Sequence, residues 1–378
     1  MDNTSETKKS NQSRILLHSQ RNIFSNFHYR LGLYEFEDII CQVDSVDLLA
    51  PRPKKWFKYG NRIANRLAHD WHTSINPGIS KTQLQKNYAL FFAVVQFPKD
   101  LLHIKYVEGW KDRCKTSICW VNEIWISDIA KYKYFLKILS HFDYVIVHWA
   151  GSLNAVQEAV QGKCFYLPYG IDAILFSPYP NPPQRVIDVY SIGRRAEETH
   201  QALLRMVKEN KIFYVYDTID GDQVFNPNQH RLLLANMAKR SKYFIANPGK
   251  IDCYDETRGQ IEFGNRFFEG AASGTIMIGE TPNNEQFRKV FDWPDALIHL
   301  PFGSDKIGTI INELDMYPDR QQNIRRNNVV QSLLHHDWVY RWEAVLKIAG
   351  LDPMPGLLER KKRLDNLSKM VEKETNNF

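Results

Sequence analysis

Short apolar runs separated by longer stretches of helical period limit this chain's possible folds more than any other feature. In the first half the runs fall at 14–18, 46–49, 90–95, 117–120, 144–147 and 164–167. Runs of four to six residues suit buried strands, and the spacers are long enough for crossover helices. Such alternation predicts βαβ units and a mostly parallel sheet. The pattern is interrupted at Pro168-Tyr-Gly170-Ile-Asp172 and by the prolines between Pro178 and Pro183, since Pro and Gly stiffen and turn a chain. It restarts with runs at 186–192, 212–216, 243–246 and 275–278. Helices are predicted over 197–208, 230–240 and 262–272, then near 305–314, 319–334, 338–349 and 356–373.

At 378 residues, the chain exceeds one ordinary core and suits two. The expectation is an α/β protein of two Rossmann-like domains facing across a cleft, with a C-terminal helical segment. Residues 14–168 would form the first domain, 169–351 the second and 352–378 the tail. The polar residues 1–13 are expected to be disordered.

Composition narrows the function. Hydrophobic residues at 43% and charged residues at 24% describe a folded globular chain. A net charge of +6 suits phosphate-bearing ligands. With no zinc-finger or RNP-type pattern, it points to no nucleic-acid partner. The five cysteines, Cys41, Cys114, Cys119, Cys164 and Cys253, are scattered and lack zinc-ligand spacing, so a reducing compartment and no metal are expected. No secretion signal and no membrane-spanning run of about 18 apolar residues is visible. A cytoplasmic protein is expected, with one surface of interest. Basic and aromatic residues interleave over 52–69, a pattern that suits either peripheral contact with an anionic membrane or an ordinary surface helix.

In open α/β sheets ligands bind at the carboxyl ends of strands. In the second half, Gly193-Arg194-Arg195 follows the first run and precedes a helix. Glycine permits a sharp turn, the arginine forks suit a diphosphate, and the helix start favours anions. Further on stands Glu262-Phe-Gly-Asn-Arg266-Phe-Phe-Glu269-Gly-Ala-Ala-Ser-Gly274, followed by a strand and Thr281. On one continuous helix Glu262, Arg266 and Glu269 share a face. A carboxylate there can accept hydrogen bonds from a ribose diol.

Glu269-Gly-Ala-Ala-Ser-Gly274 with the strand behind it resembles the E-A-x-A-x-G signature of group 1 glycosyltransferases of the GT-B fold, family 4-like, in the spore-maturation-type branch. Three further stretches agree in order. Tyr166-Leu-Pro-Tyr-Gly-Ile-Asp172 with Phe176 resembles the interdomain segment, Val189-Tyr-Ser-Ile-Gly193-Arg194 the strand-GR motif, and Asp337-Trp-Val-Tyr-Arg341-Trp-Glu343 the closing helix. The resemblance implies a nucleotide-diphosphate sugar donor of UDP or GDP type and no other cofactor. Glu269 would hold the ribose, Arg194 would neutralise the leaving diphosphate, and Gly193 and Gly274 would give backbone access, with Arg195, Arg266 and Thr281 nearby. It also implies retention of configuration and metal independence.

There are departures. The family's first glutamate aligns with Ile261, so Glu262 is displaced by one. A basic residue a few positions after Arg194 is missing, for which Arg195 or His200 are substitutes. The acceptor, whether sugar, lipid-linked or small molecule, would meet the N-terminal half, where His148, His28, Asn122 and Glu123 are candidates for an acceptor base. Asp217 and Asp220 follow the second strand of the C-terminal half and suit the base or the ribose. Glycosyl transfer competes here with two alternatives, a nucleotide-sugar epimerase of the same fold and a non-catalytic nucleotide-sugar binder or scaffold. The lack of a G-x-G-x-x-G after either first strand argues against a dehydrogenase.

Overall fold

A computed structural model of the protein describes residues 13–217 and 223–374; Asp220, singled out above, lies outside them. The N-terminal half is a six-stranded parallel sheet of β1 (Ile15–His18), β2 (Val46–Leu49), β3 (Tyr88–Val95), β4 (Cys114–Val121), β5 (Tyr144–Val147) and β6 (Lys163–Tyr166), ordered β2-β1-β3-β4-β5-β6. Leu17 lies opposite both Leu48 and Phe92 across the register. The central strand β3 is apolar along its whole length, Tyr-Ala-Leu-Phe-Phe-Ala-Val-Val, because helices cover both faces of a parallel sheet. The second half carries β7 (Ile187–Ser191), β8 (Tyr214–Tyr216), β9 (Ser241–Ile245), β10 (Ile276–Gly279) and β11 (Ile298–His299), parallel and ordered β8-β7-β9-β10-β11. Both expected sheets are present.

Six helices position the candidate site and its surroundings: α1 (Leu31–Val43), α2 (Phe57–Asp70), α3 (Leu153–Val160), α4 (Glu197–Lys208), α5 (Pro227–Lys239) and α6 (Asn265–Ala272). Helix α6 lies close on the sheet at its C-terminal turn, where the residues are small, Gly270-Ala271-Ala272. A Cβ at Gly270 would come within 2.7 Å of Met277 Sδ. Gly274, at φ +64°, ends this segment in the left-handed conformation that glycine adopts without cost. The predicted helix over 262–272 starts only at Asn265, so Glu262 sits in irregular chain before it. That removes Glu262 from the face that Arg266 and Glu269 share.

The last two helices, α7 (Trp338–Ala349) and α8 (Pro355–Lys373), cross back onto the N-terminal half. Trp338 stacks on Phe36 of α1 at 4.6 Å between centroids, and Trp342 meets Phe92 at 5.5 Å. The Trp342 indole donates to Asp44 at 3.0 Å. Phe36, Trp120, Tyr169, Phe268 and Trp338 belong to one continuous core that joins the halves. This core holds the cleft between them in a defined shape.

Candidate donor site at the strand ends of the C-terminal half

Between the halves lies a cavity of about 440 Å³. Its C-terminal wall is made where the topology places it, beyond the carboxyl ends of β7, β8 and β9 and along α5 and α6. Gly193 and Arg195 follow β7, Asp217 follows β8, Asn247 follows β9, Arg231 sits on α5, and Arg266 and Glu269 sit on α6. The N-terminal half contributes His28, Tyr29, Leu31 and Gly32 from the entry to α1.

Glu269 is 1% exposed, and an ionised carboxylate at that depth needs close partners. Arg231 Nη1 donates to one of its oxygens and Arg266 Nη1 to the other. Burial opposes ionisation, but Arg266 and Arg231 outweigh it and hold the Glu269 carboxyl below its ordinary range. Arg231 has a second carboxylate. Its Nε donates to Glu35 on α1 at 2.7 Å. Glu35 also accepts from the backbone of Asp172 at 2.7 Å and the indole of Trp338 at 2.9 Å. Burial opposes the charge on Arg231, and Glu35 and Glu269 more than offset it, so the guanidinium stays protonated. The result is a balanced group of two carboxylates and two guanidiniums that spans the halves.

A second pair shapes the wall beside β7. Gly193 adopts φ +81°, and its N–H donates to Asp217 Oδ2 at 3.0 Å. Arg195 Nη1 donates to the other oxygen of Asp217 and to its carbonyl at 3.1 Å. The turn points Arg195 into the cavity and Arg194 out of it. Arg194 is bound to Asp252 at 2.8 Å on the far side, about half exposed, and is not among the cavity residues.

The other residues singled out in the sequence are placed as follows. Gly193, Arg195, Arg266 and Glu269 come together in the cavity. Glu262 does not line it. Its Oε1 accepts from the backbone N–H of Gly151 and from Gln260 Nε2, both at 2.8 Å, at the entry to α3. Burial pushes its carboxyl up to about 7. His148, at the end of β5, is 3% exposed, and its Nδ1 has no hydrogen-bond partner among the described residues. Burial lowers its imidazole to about 3, so it stays neutral at pH 7. Gly274 serves the end of α6. Thr281 bonds the exposed His299 at 3.1 Å, outside the cavity. Asn122 donates to Gln96 at 3.2 Å, and Glu123 pairs with Lys250 across the halves.

Sequence reasoning missed Arg231 and Glu35. The signal was present in their helical phase. Arg231 is spaced i, i+3, i+4, i+7 with Leu234, Ala235 and Ala238, all buried, and Glu35 sits between buried Leu31 and Ile39. A charge on the apolar face of a helix requires a buried partner.

A family model described as glycosyl transferase-like matches residues 215–347. No curated protein matches the chain. Among solved structures, HepE from Anabaena, in complex with UDP-glucose, is similar at 12% identity over 89% of this chain and 99% of that one, with a TM-score of 0.53. An alpha-glucosyltransferase in complex with UDP and DNA is 10% identical over 89% and 99%, with a TM-score of 0.49. The likeness to HepE shows the GT-B fold, and the glycosyl transferase-like match falls on the second half of the chain. Within this chain, the glycosyl transferase-like region runs from the end of β8 through α7 and carries Arg231, Arg266 and Glu269.

Proposed function

We propose that the protein transfers a sugar from a nucleotide-diphosphate donor bound in this cavity to a sugar, lipid-linked or small-molecule acceptor entering from the N-terminal half. One observation carries the reading. Glu269 is a buried carboxylate facing a cavity at the strand ends, with each oxygen oriented by one guanidinium. A carboxylate oxygen has two lone pairs, so each retains room for a ribose hydroxyl. Arg195 and Arg266 present forked donors for the phosphates and offset the charge that develops on the departing diphosphate. The UDP-glucose bound by HepE supports a UDP-type donor as the first to test. Arginines on the cavity wall support transfer without an added divalent cation, and retention of configuration is part of the same proposal. Five free cysteines support a reducing, cytoplasmic setting.

A non-catalytic nucleotide-sugar binder has one observation in its favour. Glu262 and His148, the expected acidic and basic candidates, both lie outside the cavity. Thermal shift with UDP, GDP and ADP sugars, followed by assay of nucleotide release with and without EDTA, separates the readings. The expected result is stabilisation by one donor class and EDTA-insensitive release with acceptor. Binding without release favours the binder, and no shift with any nucleotide sugar overturns the proposal.

A further inference from the structure

Helix α2 has its residue sizes reversed for a surface helix. It buries Gly60, Ala64 and Ala68 and turns Tyr59 and Ile63 outward. Trp56, just before it, is 45% exposed, Tyr59 69% and Ile63 51%, and the following loop adds Trp71 at 75% and Ile75 at 47%. The inner face has no room for them, since a Cβ at Gly60 would sit 2.9 Å from the Pro77 carbonyl. One position round the helix runs a second stripe, Lys55, Lys58, Arg62 and Arg66, all exposed. From Arg52 to His69 there are six Lys or Arg and no Asp or Glu. Among the described residues, Arg66 alone of the six has an acidic partner, Asp70 at 3.5 Å.

An aromatic row runs from the cavity to the first turn of α2, on the inner side of the helix from Tyr59 and Ile63. Tyr29 lines the cavity wall. Ring centroids then run Tyr29 to Phe27 at 5.5 Å, Phe27 to Phe24 at 5.8 Å and Phe24 to Phe57, the first residue of α2, at 5.9 Å.

We infer that α2 and the loop behind it dock on an anionic lipid surface, and that the acceptor is an amphiphile reaching the cavity from that surface along the aromatic row. Trp and Tyr rings settle at the headgroup level, and lysines and arginines beside them meet anionic headgroups. A nucleic acid would satisfy the cations but leave Ile63, Trp71 and Ile75 in water. A second copy of the chain would set one basic stripe against another. The docking face stands independently of the donor assignment, whereas the route for the acceptor rests on the proposed function.

The test is co-sedimentation of the full chain with phosphatidylcholine vesicles, with and without about one third phosphatidylglycerol, at about 0.1 M salt. Binding to the anionic vesicles only, weakened by salt, is expected. Each lost cation weakens binding about fivefold, so Lys55→Glu/Lys58→Glu/Arg62→Glu loses about a hundredfold or more. Tyr59→Ser/Ile63→Ser is expected to lose at least about fivefold through the apolar term alone. UDP-glucose affinity should be unchanged in both variants, because none of these residues lines the cavity. Absence of anionic-vesicle binding with UDP-glucose binding intact overturns the docking face and leaves sugar transfer standing. Vesicle binding without UDP-glucose binding overturns the donor assignment instead. Equal binding to neutral vesicles, stronger binding to duplex DNA, or self-association through α2 each overturns the inference.

Discussion

Arg231→Met tests the charge balance that ties the two halves at the site. Methionine keeps the aliphatic stem and its place near Phe176, whose ring centre lies 4.5 Å from the native guanidinium carbon. It removes the cation between Glu35 and Glu269. Glu269 retains Arg266, but among the described residues Glu35 is left with only the Asp172 N–H and the Trp338 indole. Removing one partner of a buried pair costs about 3–5 kcal/mol. An unfolding entropy of about 2.1 cal/mol/K per residue over this length gives a fall in Tm of roughly 4–6 °C if the halves unfold together. The loss should also depend on pH. Burial already holds the Glu35 carboxyl above its ordinary range, with Arg231 pulling the other way, so the variant's folded state takes up a proton that the unfolded chain releases. Its stability therefore falls as pH rises from the ordinary carboxylate range toward the raised value. Calorimetry should show a larger loss near pH 8 than near pH 5. A drop below about 2 °C, or the same drop at both pH values, would refute the reasoning.

Three further outcomes follow from the same geometry. Arg195→Ala should weaken UDP-glucose binding by about tenfold or more in calorimetric titration, whereas Arg194→Ala, paired with Asp252 outside the cavity, should change it less than about twofold. Burial raises Glu262 to about 7, so wild-type stability should decline as pH climbs from the ordinary carboxylate range to that value; Glu262→Gln, which keeps the oxygen that accepts from Gly151, should flatten this stretch of the Tm profile. Gly279→Ala would put a Cβ 1.9 Å from the Ala246 carbonyl, at the end of β10 beside β9, and should lower Tm by several degrees while a surface Gly→Ala control does not.

Much of this architecture was legible in the chain. Periodicity located both sheets and helix α4, because a parallel sheet buried on two faces needs unbroken apolar runs between amphipathic crossovers. It placed Glu269 and Arg266 together, since three residues apart on a helix is one face. Finer placement depended on local conformation and distant partners. Which of Arg194 and Arg195 turns inward follows from the left-handed Gly193 and the grip of Asp217, which arrives 24 positions later in the chain. Glu262 was assigned to α6 from periodicity, yet the entry to α3, more than a hundred residues earlier in sequence, draws its carboxylate away. The return of α7 and α8 onto α1 is encoded in Trp338 and Trp342, whose neighbours only the folded chain reveals.

The most direct measurement is the structure of the chain with UDP-glucose bound. Ribose hydroxyls should stand within hydrogen-bond distance of the Glu269 carboxylate, about 2.6–3.2 Å, with the phosphates on Arg195 and Arg266. A nucleotide seated elsewhere, or one that leaves Glu269 without a ligand contact, would contradict the assignment of the donor site.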